Sequence, residues 1–175
     1  MSVRFRAAVC TRLVFLAAFS VLAGCAHYQL GTASAVDFRT LYVEPVANKT
    51  LLPQARDVLS RQLRAAFLRD GRVRLVNSPD AADTTLTVVI DDYHRDIAAV
   101  RQDDTGLARK FNLVLGASCT LRDNRSGKTI FSARPFSVQR EAYTDSGQQQ
   151  AEYQTLPLLA EMLSGQVAHA ALDVW

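Results

Sequence analysis

The residues best placed to do chemistry lie near the start of the chain, in Leu22-Ala23-Gly24-Cys25. A thiol is a ready nucleophile once ionised. Here it follows Leu22 and two small residues, Ala23 and Gly24, that would fit a peptidase leaving Cys25 as a new N-terminus. The arrangement resembles a bacterial lipobox, in which the cysteine receives diacylglycerol and its freed amine an acyl chain. The upstream residues agree. Arg4, Arg6 and Arg12 stand in a stretch without acids, and residues 13–23 read LVFLAAFSVLA without a charge. A basic start and a short apolar run are the pattern of a secretory signal. As a helix the run spans roughly 16 Å at about 1.5 Å per residue, short of the hydrocarbon core of about 30 Å. The expected organisation is a signal peptide over 1–24, a lipidated tether over 25–37 and one domain over 38–175.

The remaining reactive residue types are sparse. His27, His94 and His169 show no metal-ligand spacing. Asp91-Asp92 falls in a strand-like run, where neighbours point to opposite faces, so the two are not expected to share a site. Asp103-Asp104 reads as a pair of turn acids, with weak calcium binding as the sharper alternative. Cys119 is in phase with apolar strand residues and reads as a small core residue, while Cys10 lies in the signal. The chain has no G-x-S-x-G and no Walker glycine loop. No catalytic residue, metal site or cofactor is expected beyond the covalent lipid on Cys25. Basic residues do gather. Arg56, Arg61, Arg64 and Arg69 lie along one helix, Arg95, Arg101, Arg109 and Lys110 flank one turn, and Arg122, Arg125 and Lys128 flank another. Such groups reach phosphates through charge-assisted hydrogen bonds, or simply keep a loop soluble.

Composition limits what those cations mean. The 175 residues are 49% hydrophobic and 21% charged, which is globular and excludes a disordered chain. The formal net charge is +3. Arg4, Arg6 and Arg12 account for all of it, so removal of the signal leaves as many acids as bases. A nucleic-acid partner loses its electrostatic support, and none is expected.

The elements that must position these groups follow from periodicity. Phe38–Glu44 alternates as a strand and Pro45 ends it. Pro53 suits the first position of a helix. From there Ala55, Val58, Leu59, Leu63, Ala66 and Phe67 form one stripe, with Gly71 at the stop. Asp57 and Arg61 are spaced to pair on its other side. Strands are expected at 72–77, 84–94, 110–122 and 129–141, with Pro135 marking the last as an edge or a bulge. A second helix carries Leu156, Leu159, Leu163 and Val167 in one stripe, with Thr155 as candidate cap and Pro157 in its first turn. The order β-α-β-β-β-β-α predicts an α+β domain, with two helices on one face of a mostly antiparallel sheet of four to five strands.

This order, together with the lipobox, the tether AHYQLG, the strand LYVEPVANKTLLP with its Asn48-x-Thr50 and the final helix LLAEMLSGQVAHAALDVW, resembles the LptE-like lipopolysaccharide-assembly lipoproteins. The resemblance implies a non-enzymatic protein at the periplasmic side of the outer membrane, held by its lipid. It implies a plug in the lumen of a large β-barrel translocon that inserts lipopolysaccharide into the outer leaflet. Its partners would be that barrel, lipopolysaccharide and the outer membrane. The family's basic contact at the tip of the first long hairpin is matched by Arg101, flanked by Arg95, Arg109 and Lys110. A second contact follows the family's last strand. Residues 141–155 of this chain hold no Lys or Arg, and Arg140 is the nearest. Two other readings stay open: a different outer-membrane lipoprotein, such as a cell-wall synthase regulator or a secretion-pore component, and a periplasmic hydrolase.

Overall fold

Six strands, among the described residues, form one sheet: β1 (Thr40–Val43), β2 (Ala47–Asn48), β3 (Arg74–Val76), β4 (Thr84–Ala99), β5 (Lys110–Asp123) and β6 (Thr129–Tyr143). The structure is a computed structural model that describes residues 36–99, 110–143 and 148–173. Two helices, α1 (Gln54–Asp70) and α2 (Gln148–Leu172), complete the fold, with a 3₁₀ turn at Pro79–Ala81.

The strand order is β3-β1-β4-β5-β6, with β2 beside β4. β4, β5 and β6 are antiparallel neighbours over most of their length. β1 lies parallel to both β3 and β4, and β2 is parallel to β4, so the sheet is mixed. For β1 and β3 the cause is the α1 crossover, since a strand that returns through a helix enters in the same direction. Asp83 fastens the start of β1. Its Oδ2 accepts the backbone N–H groups of Arg39 (2.9 Å) and Thr40 (3.0 Å), and those bonds hold its pKa below the usual aspartate value.

The core lies between the helices and one sheet face. Ala55, Leu59, Leu63 and Phe67 of α1 are buried there, as are Leu156, Leu159, Leu163 and Val167 of α2. The sheet contributes Leu41, Leu86, Val88, Ile90, Leu113, Leu115, Ala117, Cys119 and Leu121. Each buried leucine contributes about 1.5–3 kcal/mol relative to exposure. Burial pushes the Cys119 thiol up to about 12, as befits a core residue. Gly71 adopts φ 76° and its N–H bonds Phe67 O at 3.1 Å, which ends α1 as expected. Pro53 stands one residue before α1, and Asp57 pairs with Arg56 at 3.0 Å rather than with Arg61.

Two local expectations are corrected. α2 begins at Gln148, so Pro157 lies inside it and Thr155 is not its cap. Thr155 Oγ1 donates instead to Ala151 O (2.7 Å), within the helix. Pro157 is exposed, so the carbonyl of Tyr153 that it leaves without an N–H faces the solvent side. The second correction is in β4. Ile90 is in register with Ala117 and Asp92 with Gly116, so Asp91 is the extra residue of a bulge. Asp91 and Asp92 therefore share the face away from the helices. Asp91 accepts from Ser118 Oγ, and Asp92 Oδ1 lies 2.9 Å from His94 Nδ1.

The candidate basic site at one end of the sheet

The parity change at Asp91 also determines which residues turn toward the helices beyond it. Tyr93 is in register with Leu115 and Arg95 with Leu113, both core positions. Without the extra residue, Tyr93 and Arg95 would face away. As built, Arg95 Nη1 meets Glu152 Oε1 of α2 at 2.7 Å, and Tyr93 Oη donates to Glu152 Oε2 at 3.3 Å. Burial first, and the Glu152 carboxylate second, push the Tyr93 phenol up to about 12.

Arg140 of β6 is in register with Leu113 from the other side. Arg95 and Arg140 thus lie in one row across β4-β5-β6, roughly 10 Å apart at the backbone given about 4.8 Å between strands. Arg140 is exposed and makes no ion pair among the described residues. Lys110 falls in the other phase of β5 and turns to the opposite face. Its Nζ meets Glu141 Oε1 at 2.6 Å and stands 5.9 Å from the Tyr143 ring centroid. The Glu141 carboxylate raises the Lys110 pKa, and Lys110 lowers that of Glu141.

The structure therefore brings Arg95 and Arg140 together and sets Lys110 apart. Cys25, Arg101 and Arg109 lie outside the described residues. Arg122, Arg125 and Lys128 belong to the other end of the sheet, beside the start of β1. Arg125 there secures the incoming chain: its Nη2 donates to Asp37 O (3.1 Å) and its Nε lies 3.7 Å from Asp83 Oδ1. Sequence reasoning missed Arg134, whose guanidinium sits 5.8 Å from the Phe131 centroid and 5.5 Å from that of Phe136. The signal lay in Phe131-Ser-Ala-Arg134-Pro-Phe136, aromatics bracketing a cation.

Among the described residues no group of three His, Cys, Asp or Glu side chains could hold a metal ion. No described helix is long and apolar enough to cross a membrane. What the site offers is cations held on the strands at one end of the sheet, chemistry suited to binding anions.

A mixed sheet with two helices on one face defines an α+β domain, here with cations at one end of the sheet. The chain belongs to the LptE lipopolysaccharide-assembly family, whose pattern it matches over residues 38–170. That family is one of non-enzymatic lipoproteins of the cell envelope, associated with the lipopolysaccharide transport machinery. No curated protein matches the chain by sequence. Among solved structures it is similar to a minor lipoprotein from Acinetobacter baumannii, at 16% identity and TM-score 0.51, covering 78% of this chain and 92% of that one. It is similar to a Xanthomonas campestris protein of the DUF330 family, at 15% identity and TM-score 0.60, covering 80% and 86%. A lipoprotein B from Nitrosomonas europaea gives 17% identity and TM-score 0.50, covering 81% and 84%. At these identities the structural likenesses establish the fold.

Proposed function

We propose that this chain is anchored through acylated Cys25 at the periplasmic side of the outer membrane. There it plugs the lumen of a large β-barrel lipopolysaccharide translocon, helps the barrel assemble and assists insertion of lipopolysaccharide into the outer leaflet. The observation that carries this reading is the family match over residues 38–170, which spans almost the whole α+β domain. The geometry supports it. The β4-β5 hairpin end carries Arg95, Arg140 and Lys110 on rigid strands, and Arg101 and Arg109 fall between those strands in sequence. Guanidinium groups at that end suit the phosphates of a lipid A head group. The protein acts without catalysis and without a cofactor other than its own lipid.

The test is co-purification. Tagged protein extracted from membranes in mild detergent is expected to bring down one large barrel subunit. Recovery of a cell-wall synthase or a secretion-pore subunit in its place would overturn the proposal. For the hairpin end, direct lipopolysaccharide binding is expected to weaken in Arg101→Asp, and unchanged affinity removes that residue from the site.

A further inference from the structure

The two helices leave the outer strand partly uncovered. Between β6 and α2 opens a cavity of about 640 Å³, with Phe131, Arg134 and Phe136 on the strand side and Gln166 and His169 on the helix side. Its volume lies within the range of about 300–1,000 Å³ usual for small-molecule sites.

Arg134 is the cation of this cavity, and among the described residues it pairs with no carboxylate. The one acid in the lining, Asp173, is already engaged by Arg72 at 2.6 Å and lies 3.2 Å from His169 Nδ1. The backbone spends strain to place Arg134. Phe131 and Arg134 are three apart, so a regular strand would send them to opposite faces. A second irregularity prevents this: Cys119 is in register with Arg134, and two residues later Leu121 is in register with Phe131. Within it Ala133 takes φ 46°, a conformation that favours glycine and carries a penalty of about 1 kcal/mol or more for alanine. The Ala133 N–H is held by Thr120 Oγ1 at 3.0 Å. The result is a guanidinium between two aromatic rings, open to solvent.

The helix side extends the cavity with apolar surface. Met162 is four residues before Gln166 and Leu158 four before Met162, so they continue the same rim of α2. Both are exposed, at 41% and 40%. A single unpaired cation at one end and an apolar rim leading away match the two parts of an amphiphile.

We propose that this cavity binds a phosphate-bearing acyl lipid, with the phosphate on Arg134 and the chain lying along Met162 and Leu158. The inference rests on the proposed lipopolysaccharide role for the source of the lipid, not for its chemistry. The site is separate from the Arg95–Arg140 row, which belongs to the hairpin end.

Calorimetry tests it on the full chain carrying Cys25→Ala, so that no acyl chain of its own competes. The probes are dodecyl phosphate below its micellar concentration, inorganic phosphate and dodecyl maltoside. Dodecyl phosphate is expected to bind, with each of the other two weaker by roughly tenfold or more, because each offers half of the recognition. Arg134→Gln is expected to weaken dodecyl phosphate by about tenfold while leaving the thermal melt in place. Met162→Glu, remote from the bulge, provides the second variant and is expected to weaken it as well. Unchanged affinity in Arg134→Gln overturns the proposal. So does inorganic phosphate binding as tightly as the amphiphile, or the maltoside doing so. If dodecyl phosphate binds as expected but the wild-type protein brings down no barrel, the lipid site stands and the translocon reading falls.

Discussion

Among the described glycines, Gly116 has the least room for a side chain. A methyl group built on it would stand 2.9 Å from Asp92 Cβ and 3.7 Å from Phe136 O. Carbon atoms rest at about 3.5–4.0 Å, so the methyl is too close by roughly 0.6–1 Å. The obstacle is a Cβ atom fixed by the β4 bulge and not the free end of a side chain, so relief requires the strands to move. Overpacking of this kind costs about 1–3 kcal/mol. Replacing glycine also lowers the entropy of the unfolded chain, which returns about 0.4–1 kcal/mol. Gly116→Ala is therefore expected to lower stability by about 1–2 kcal/mol, read from urea denaturation as a shift in midpoint at constant slope. Asp92→Gly removes the opposing Cβ. The double variant is then expected to recover most of the loss, a coupling of about 1 kcal/mol. Stability of Gly116→Ala at or above wild type, or simple additivity with Asp92→Gly, would refute the reasoning.

Arg72 holds Asp70 at 2.7 Å and Asp173 at 2.6 Å, joining the C-terminal ends of the two helices. Arg72→Met is expected to lower stability by about 1–2 kcal/mol at neutral pH, the value for a partly exposed cluster of two acids that loses its shared cation. Because Arg72 holds the Asp70 pKa down, the Asp70 contribution is present above the ordinary aspartate pKa and lost as pH falls through the lowered one. Urea melts across the acid range are expected to show a shallower loss in the variant. His94 is raised by its bond to Asp92, so its contribution is complete below the ordinary histidine pKa and lost as pH rises through the raised one. An NMR titration is expected to place its midpoint above 6.5, and Asp92→Asn to bring it down toward that value. Cys25→Ala is expected to shift the protein from the membrane fraction to the soluble periplasm, and unchanged membrane association would remove the lipobox reading.

Much of the fold was legible because it is written as periodicity. The α1 stripe with Gly71 at its end, the phase of Cys119 and the Pro135 signal of an irregular edge strand all correspond to what the structure contains. Periodicity says which side of a strand is buried, not which strand lies beside it. The parallel placement of β1 between β3 and β4 was thus out of reach, and β2, at two residues, is too short to carry a pattern. Asp91 hid its bulge because two consecutive acids, Asp91 and Asp92, both read as surface residues. The clue was the parity change from Ile90 to Tyr93. The start of α2 was missed because a proline inside a helix was read as one near its beginning. At the site, Arg95 and Arg140 are 45 positions apart in sequence and meet only through the β4-β5-β6 order. Arg134 and Phe131 meet only through the irregularity at Ala133, which no composition or spacing rule announces.

The Asp83 fastening has a mechanical side. Chain entering at Val36 leads directly into β1, which is bonded to β3 on one flank and β4 on the other, both running its own way. A pull between that end of the sheet and the β4-β5 hairpin end runs along the strands. It loads the bonds on both flanks of β1 together, in shear, and cannot open them one after another. The segment from Val36 into β1 is therefore held to the sheet by a seam that resists tension, so a load applied at Val36 passes into the whole sheet before it can peel away the first strand.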